Sequence, residues 1–145
     1  MERRTLLKAW VLGTLAQFIG VRPLYAEWHA GAFASRSVDN LLKALSASKP
    51  ASSSDIELDM PDIADGSNIQ VSVSSRIPGT QSISLIVKRN REPLAATFHL
   101  TKEVEPVIRL DIGVERTSQI MALVEAEGKY YSYGREVKIA VPGCR

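Results

Sequence analysis

Apolar and polar residues alternate along most of the chain from Asp55 onward, which is the period of half-buried β-strands. The alternation is clearest in four sets of apolar residues: Ile56 and Leu58; Ile69, Val71 and Val73; Ile83, Leu85 and Val87; and Ile108, Leu110, Ile112 and Val114. Further strands are predicted over residues 96–100, 119–126, 129–134 and 137–141. Turn-forming sequences separate them at residues 60–62, 65–68, 77–80, 91–93, 104–106 and 127–129.

Seven or eight short strands without an intervening helix predict an all-β fold, an immunoglobulin-like antiparallel β-sandwich. Within it, Glu127-Gly128 or Gly128-Lys129 is expected to turn a hairpin between the strands 119–126 and 130–134. The last strand then brings Val141 to the edge of the domain, and a short flexible C-terminal arm follows.

A different period precedes the strands. Residues 38–45 place four apolar side chains on one stripe at helical spacing, and Ser37 is a suitable N-cap, so a short N-terminal helix is predicted. Residues 46–54, SASKPASSS, have the composition of an exposed linker. The predicted organisation is an export signal at 1–26, helix and linker at 27–54, the sandwich domain at 55–141 and the arm at 142–145.

The first 26 residues have the pattern of an export signal. A basic head is followed by the uncharged run 9–21, and small residues suited to cleavage end at Ala26. The run is shorter than a typical membrane span, although a membrane anchor is the alternative reading. Arg3-Arg4 followed by TLLK resembles a twin-arginine signal, which predicts export to the periplasm and no membrane attachment after cleavage. A later cleavage site at 32–34 is the less favoured choice.

Cleavage would change the charge of the chain. The whole sequence has 18 Lys and Arg against 16 Asp and Glu. Residues 1–26 contain four of the bases and one of the acids, so 14 bases and 15 acids remain. The interrupted basic run KRNR at 88–91 is then the longest, and nothing in the charge favours nucleic acid or anionic lipid as a partner.

The residue types that commonly carry catalysis or bind metals do not form a recognisable site. His29 and His99 have no second metal ligand at a standard spacing, and His99 is expected on a strand face. Asp55, Glu57 and Asp59 share the polar side of one strand, where solvation is the ordinary explanation. No nucleophile motif, phosphate loop or calcium loop is present, so no catalytic residue, metal or cofactor is predicted.

Cys144 is the single cysteine, and it stands next to last. It could be a buried small hydrophobe, an incidental thiol or half of an intermolecular disulfide, but burial is disfavoured so close to the terminus. Prenylation requires three residues after the cysteine, and only Arg145 follows. In an oxidising compartment an exposed thiol is readily oxidised, which suggests that the thiol of Cys144 has a function.

The predicted arm can carry the thiol away from the domain, but its own charges do little to activate that thiol. Pro142, Gly143 and Cys144 can carry the sulfur about 10 Å beyond Val141 when extended, at ~3.3 to 3.6 Å per residue. The guanidinium of Arg145 favours the thiolate, whereas its α-carboxylate opposes it. The thiol would therefore have to be activated by whichever enzyme receives it, which fits a carrier better than a catalyst.

From Glu27 to its end the chain resembles SoxY, the sulfur-carrier subunit of a periplasmic thiosulfate-oxidising system. The matching segments are 28–45, 56–83, 93–100 and 131–144, and the most specific are PDIADGSNIQVSV and the last strand with its Gly-Cys tail. The resemblance implies an immunoglobulin-like SoxY domain paired with a SoxZ-like subunit. It also implies sulfur intermediates held covalently on Cys144, while haem-containing and sulfate-releasing enzymes perform the chemistry.

The tail departs from the Gly-Gly-Cys-Gly-Gly type that the family commonly has. Pro142 restricts the backbone before the cysteine, and Arg145 adds bulk and charge after it. Three functions are therefore compared: a sulfur carrier, a non-catalytic immunoglobulin-like binding or assembly module whose cysteine crosslinks chains, and an enzyme. The last is disfavoured because no base, metal or cofactor site accompanies the thiol.

Overall fold

The structure is a computed structural model that describes residues 30–140. Two short helices, α1 (Ala30–Phe33) and α2 (Val38–Ala44), come first. Nine strands follow: β1 (Ala51–Ser52), β2 (Ile56–Asp59), β3 (Ile63–Ala64), β4 (Asn68–Ser75), β5 (Thr80–Val87), β6 (Leu94–His99), β7 (Val107–Gly113), β8 (Ser118–Ala126) and β9 (Lys129–Ile139). No helix in residues 30–140 is both long enough and apolar enough to cross a membrane.

The strands form two sheets that pack face to face. The larger sheet has the order β1-β9-β8-β5-β6, with β3 also paired to β9, and the smaller has the order β2-β4-β7. All pairings are antiparallel except those of β1 and β3, which run parallel to β9. The predicted immunoglobulin-like β-sandwich is confirmed, and the two parallel two-residue strands are additions that the alternation did not predict.

The apolar residues of the alternating pattern form the interior of the sandwich. In β2 and β4 every second residue is buried, so each strand presents its apolar side to the core and its polar side to solvent. The core residues of β2, β4, β5, β7 and β8 include Ile56, Leu58, Val71, Val73, Ile83, Leu85, Val87, Ile108, Ile112, Ile120, Ala122 and Val124. Each of the strongest predicted strands is therefore present with its predicted apolar face inward.

A second apolar layer covers the outer face of the larger sheet. There, Leu41 of α2 packs with Ile86 of β5 and Leu123 of β8, and all three are essentially inaccessible to solvent. β5 and β8 are consequently buried on both faces over most of their length, which explains the unbroken apolar runs 85–87 in β5 and 120–124 in β8. The N-terminal helix is thus part of the domain's packing rather than a separate unit.

Helix α2 has defined caps at both ends. The side chain of Ser37 accepts a hydrogen bond from the amide of Asn40, as the predicted N-cap requires. At the other end the amides of Ser46 and Ala47 donate to the carbonyls of Lys43 and Leu42, the pattern of a Schellman motif. Ser46 adopts a left-handed conformation with φ 59°, a position that usually holds glycine.

The predicted linker 46–54 is therefore more ordered than its composition suggests. Ala47 is buried against the helix layer, and Ala51 and Ser52 form β1 beside Tyr131 and Ser132 of β9. Its serine-rich sequence gives no periodic signal, because a two-residue strand is shorter than the pattern needed to recognise it.

The two strands predicted at 129–134 and 137–141 are one strand in the structure. β9 runs without a break from Lys129 to Ile139, and Gly134 lies within it opposite Met121. The hairpin that precedes β9 turns at Glu127 and Gly128, which both have positive φ angles of 51° and 73°. Two consecutive left-handed residues make the type I′ turn that matches the twist of the flanking strands, so the predicted hairpin is confirmed.

Candidate functional site at the root of the C-terminal arm

The predicted attachment residue Cys144 lies outside the described residues, together with Pro142, Gly143 and Arg145. The predicted signal residues Arg3 and Arg4 also lie outside them. The described part of the chain nearest to Cys144 is the end of β9. We call residues 138–140 the arm root, because any arm must start from there.

All three backbone amides of the arm root donate hydrogen bonds. Lys138 donates to the carbonyl of Asp62 at 2.9 Å, and Ala140 donates to the carbonyl of Ala64 at 2.9 Å. Between them, the amide of Ile139 donates to the side-chain hydroxyl of Thr117 at 3.0 Å. Since donors alternate in direction along a strand, these bonds hold the root from both edges of β9 as far as Ala140.

The carbonyl partners on one edge belong to the segment PDIADG, 61–66. Ile63 and Ala64 form β3 beside Lys138 and Ile139, while the Ala64 side chain is buried in the sandwich core. Gly66, with φ 119°, then turns the chain toward β4, in a conformation that other residues rarely adopt. The DGSN turn predicted at 65–68 is thus present, and its neighbours position the arm root.

Arg135 connects the same segment to β9 through its side chain. One guanidinium nitrogen donates to the carbonyl of Leu58 at 3.1 Å, and another forms an ion pair with the carboxylate of Asp62. The side chain of Arg135 is 32% exposed and that of Asp62 is 78% exposed. The fork of the guanidinium therefore ties the end of β2 and the start of β3 to the strand that carries the arm.

The other edge of the arm root is supported by loops. Thr117 belongs to the β7–β8 loop, which is held in place by Asn90 of the β5–β6 loop. The side-chain amide nitrogen of Asn90 donates to the carbonyl of Gly113 at 2.8 Å, and its side-chain oxygen accepts from the backbone amide of Glu115 at 3.0 Å. The amide of Arg89 also donates to the hydroxyl of Ser118 at 3.0 Å. The β5–β6 and β7–β8 loops are thereby linked to each other on this side of the root.

Sequence reasoning did not identify these supporting residues. Asp62, Asn90, Thr117 and Arg135 are distant from one another in sequence, and each belongs to a common residue type. The one signal in the sequence was that segment 61–66 belongs to the stretch most specific to the SoxY resemblance. The structure gives a physical reason for that sequence. That segment is the parallel neighbour of the arm root.

The other polar residues considered from the sequence lie elsewhere. His99 is exposed at the end of β6, opposite Ser82 of β5, and Glu57 and Asp59 lie on the solvent side of β2 as predicted. Glu57 faces Arg76 in an exposed ion pair of 3.9 Å. In the part of the chain from 30 to 140, no three His, Cys, Asp or Glu side chains are grouped in a way that could hold a metal ion.

A polar groove lies on the outer face of the larger sheet beside the end of α2. Its lining includes Ser82, Glu125 and Tyr130. Ser82 donates to the carboxylate of Glu125 at 3.1 Å. Partial burial raises the pKa of the Tyr130 phenol, and the negative charge of Glu125 and a hydrogen bond to it raise that pKa further. The groove therefore contains one acidic side chain, Glu125, and its lining includes no residue of the arm root.

The sequence model of the family described as "Sulfur oxidation protein SoxY" matches residues 42–144. This range takes in the end of α2, both sheets, the arm root and the position of Cys144. The chain belongs to the SoxY family. The match therefore confirms the resemblance drawn from the segments 56–83 and 131–144.

One solved structure agrees with this assignment, and another shares the fold. The sulfur carrier protein SoxY from Chlorobium limicola f. thiosulfatophilum shares 30% identity, with a TM-score of 0.66, over 72% of this chain and 97% of its own. A superoxide reductase (neelaredoxin) from Ignicoccus hospitalis matches with a TM-score of 0.53 and 13% identity, over 59% of this chain and 80% of its own, which shows a shared fold alone. The comparison with curated proteins found no match.

Proposed function

We propose that this SoxY-family protein carries sulfur intermediates covalently on Cys144 and presents them to partner enzymes. The observation that carries the proposal is the family match, which extends to residue 144 and so includes the single cysteine. The related structure from Chlorobium limicola is named as a sulfur carrier protein. The protein itself is then a substrate carrier rather than an enzyme.

The arm root supports the proposal by its rigidity. The amides of Lys138, Ile139 and Ala140 are all bonded, so the covalent chain from Ala140 to Cys144 is the length available for presentation. Four residues span at most about 14 Å, at ~3.3 to 3.6 Å per residue. A fixed root with a reach of this order lets a partner enzyme dock against the sandwich end while it draws the thiol into its own site.

The loading reaction has a definite balance. The thiol of Cys144 and the terminal sulfur of thiosulfate form a new S–S bond, one proton is released, and two electrons pass to an oxidised haem-containing partner. Since only the thiolate attacks and an ordinary cysteine has a pKa near ~8.5, the partner is expected to favour ionisation of the thiol. A sulfate-releasing enzyme can then hydrolyse the terminal sulfonate, which leaves a persulfide on the carrier.

The direct test is intact mass spectrometry of the mature chain with its SoxZ-like subunit. After incubation with thiosulfate, the oxidised haem enzyme and an electron acceptor, we expect a thiosulfonate adduct that peptide mapping locates at Cys144. The matched control is Cys144→Ser, which keeps the size of the side chain and removes the nucleophile. An unmodified wild-type mass after complete turnover of the electron acceptor would contradict the proposal.

The same samples distinguish the rival function, an assembly module crosslinked through its cysteine. That function predicts an intermolecular disulfide through Cys144 that activity does not require, and no sulfur adduct. Non-reducing electrophoresis reports the disulfide, and the mass spectrum reports the adduct. Full activity of Cys144→Ser in a reconstituted sulfur-oxidising mixture would favour the assembly module over the carrier.

Location and partner complete the proposal. The sequence pattern of residues 1–26 supports export to the periplasm by the twin-arginine route, and Arg3→Lys with Arg4→Lys is expected to leave the precursor in the cytoplasm on cell fractionation. A SoxZ-like subunit is the proposed stable partner. When the two chains are co-expressed, purification through a tag on that subunit should recover this chain in equal amount. Recovery of the tagged subunit without this chain would refute the pairing.

A further inference from the structure

Strand β8 begins too late in the chain to hold the whole arm root through its backbone. Its first residue, Ser118, is opposite Val137 of β9. Two further residues of this antiparallel register would place Arg116 opposite Ile139. Because the even-numbered amides of the arm root donate to the opposite edge of β9, the amide of Ile139 is directed toward the β8 side. It therefore points to a place where β8 has not yet begun.

The side chain of Thr117 supplies the missing acceptor. Its hydroxyl oxygen accepts a hydrogen bond from the amide of Ile139 at 3.0 Å, in a partly buried position. This bond extends the β8–β9 ladder beyond its last backbone pair, Ser118 with Val137. Among the bonds on the β8 side within residues 30–140, it lies nearest to the arm.

Neighbouring contacts fix Thr117 on both sides along the chain. Before it, the amide of Glu115 donates to the side-chain oxygen of Asn90 at 3.0 Å. After it, the hydroxyl of Ser118 accepts from the amide of Arg89 at 3.0 Å. The guanidinium of Arg89 also lies 3.5 Å from the carbonyl of Thr117. Because the backbone around it is already held, the hydroxyl loses little further freedom when it binds the arm root.

We propose that Thr117 is a positioning residue for the carrier: its bond to Ile139 fixes the point at which the arm leaves the sandwich. The inference rests on the proposed sulfur-carrier function and adds the residue that sets the origin of the arm. With the bond in place, the arm has four residues after Ala140, up to and including Cys144. The next backbone pair on the β8 side is at Val137, seven residues before Cys144.

The other edge of β9 is a weak substitute for the bond to Thr117. Its partner there is β3, which has two residues and an Ile63 side chain that is 64% exposed. The pairing is parallel, which is slightly less stable per residue than antiparallel pairing. A partly buried amide without an acceptor also destabilises the folded root. Loss of the Thr117 hydroxyl is therefore expected to let β9 fray back toward Val137.

A longer free segment presents the thiol less efficiently. The effective concentration of a tethered group at its target falls roughly as the −3/2 power of tether length, once the tether spans the distance. Extension of the arm from four to seven residues would thus lower the effective concentration of the Cys144 thiol about twofold. The surface that a partner enzyme contacts is unchanged, so we expect the loss in kcat of loading and little change in KM.

The first test uses the single cysteine as a labelling site and requires no sulfur chemistry. A nitroxide spin label is attached to Cys144 of the isotope-labelled mature chain, which is then combined with its SoxZ-like subunit. In Thr117→Val, which keeps the side-chain shape and removes the hydroxyl, the label should broaden amide signals farther from the arm root. The amide of Ile139 should exchange its hydrogen about fivefold faster or more, beyond any change at Leu123 within β8.

Three further variants make the test specific. Thr117→Ser retains a hydroxyl and should restore slow exchange at Ile139. Thr97→Val is the matched control, because it removes another threonine hydroxyl, the one bonded to Ser84 at 3.0 Å, and should leave Ile139 unaffected. Asn90→Ala removes a support of the β7–β8 loop without changing either partner of the bond. It should speed exchange at Ile139 by a smaller factor than Thr117→Val.

Loading with thiosulfate by the oxidised haem enzyme tests the functional consequence. We expect Thr117→Val to load with about half the kcat of the wild type and an unchanged KM, and Thr117→Ser to load normally. A role in stability alone would not give this result, because Thr97→Val, which also loses a hydrogen bond, should load like the wild type.

Unchanged exchange at Ile139 in Thr117→Val would overturn the proposal, as would unchanged broadening by the spin label or failure of Thr117→Ser to restore the wild-type behaviour. A frayed root with unchanged kcat would refute the link between arm length and presentation. If the wild type forms no sulfur adduct on Cys144, the carrier function fails instead. The exchange and spin-label measurements would still decide whether Thr117 sets the origin of the arm.

Discussion

Arg135 and Asp62, 73 positions apart in sequence, form an ion pair beside the root of the C-terminal arm. The same guanidinium donates to the carbonyl of Leu58, and the backbone carbonyl of Asp62 accepts from Lys138. One arginine thus connects the end of β2 and the start of β3 to β9, three residues before the arm root. The stability of the arm root depends on a contact made upstream of it.

Replacement of Arg135 by Met should loosen the arm root. The variant keeps much of the apolar stem and loses the two polar contacts, so we expect the free energy of unfolding to fall by about 1–2 kcal/mol. The amide of Lys138 should exchange its hydrogen faster than in the wild type, by more than the loss of global stability explains. Urea unfolding and native-state hydrogen exchange measure the two effects.

The matched control is Asp62→Asn, which removes the charge and retains an acceptor. Because the Asp62 side chain is 78% exposed, its ion pair is screened by solvent, and the loss should stay below about 1 kcal/mol. Equal losses in the two variants would contradict the assignment of the larger share to the bond between Arg135 and Leu58.

A second prediction concerns the strained residue that ends helix α2. Ser46 has φ 59°, and its amide completes the Schellman motif through the carbonyl of Lys43. Ser46→Gly should stabilise the protein by about 0.5–1 kcal/mol, because glycine adopts this conformation without steric cost. Ser46→Ala retains the Cβ and should bring no such gain. Thermal unfolding of the three proteins checks the prediction, and a stabilised alanine variant would contradict it.

Most of the strands of the sandwich could be predicted, because a strand that is buried on one face has alternating apolar and polar residues. Ile69, Val71 and Val73 are an example, since each is buried and each polar neighbour faces outward. β1 and β3 could not be predicted, because two residues are too short for a pattern and their partners in β9 are remote in sequence. The unity of β9 was missed because Gly134 and the polar residues around it resemble a break.

The candidate site was predictable only in its covalent part. Cys144 and its neighbours are visible in the sequence as a lone thiol near the end of the chain, and they remain predictions because they lie outside the described residues. The support of the arm root depends on tertiary contacts such as Thr117 with Ile139. A threonine in a loop gives no local sign that its hydroxyl will accept a bond from a strand 22 positions away.

The helix layer provides a third prediction, with two adjacent leucines as a matched pair. Leu41 is 0% exposed between α2 and the larger sheet, whereas Leu42 is only partly buried at the margin of the same cluster. Leu41→Ala should cost about 2–5 kcal/mol, the usual range for a large cavity, and Leu42→Ala should cost clearly less. Chemical denaturation measures both losses. Equal costs would contradict the packing of α2 through Leu41.

The last prediction follows from Tyr130 in the polar groove. Burial, then the charge of Glu125 and its hydrogen bond, raise the pKa of the phenol above its ordinary 10.0. In the unfolded chain the phenol ionises near 10.0, so above that pH the unfolded state binds fewer protons than the folded state. The contribution of Tyr130 to stability is therefore complete below pH 10.0 and is lost as the pH rises through the folded pKa.

Tyr130→Phe should remove this component, so its free energy of unfolding should fall less steeply than that of the wild type between pH 10.0 and the folded pKa. Glu125→Gln should lower the folded pKa toward its ordinary value by removing the carboxylate charge, while the burial effect remains. Ultraviolet titration of tyrosinate and urea unfolding at a series of alkaline pH values measure these effects. If Tyr130→Phe lost stability with the same slope as the wild type, the predicted linkage would be wrong, because the remaining groups alone would then account for the alkaline instability.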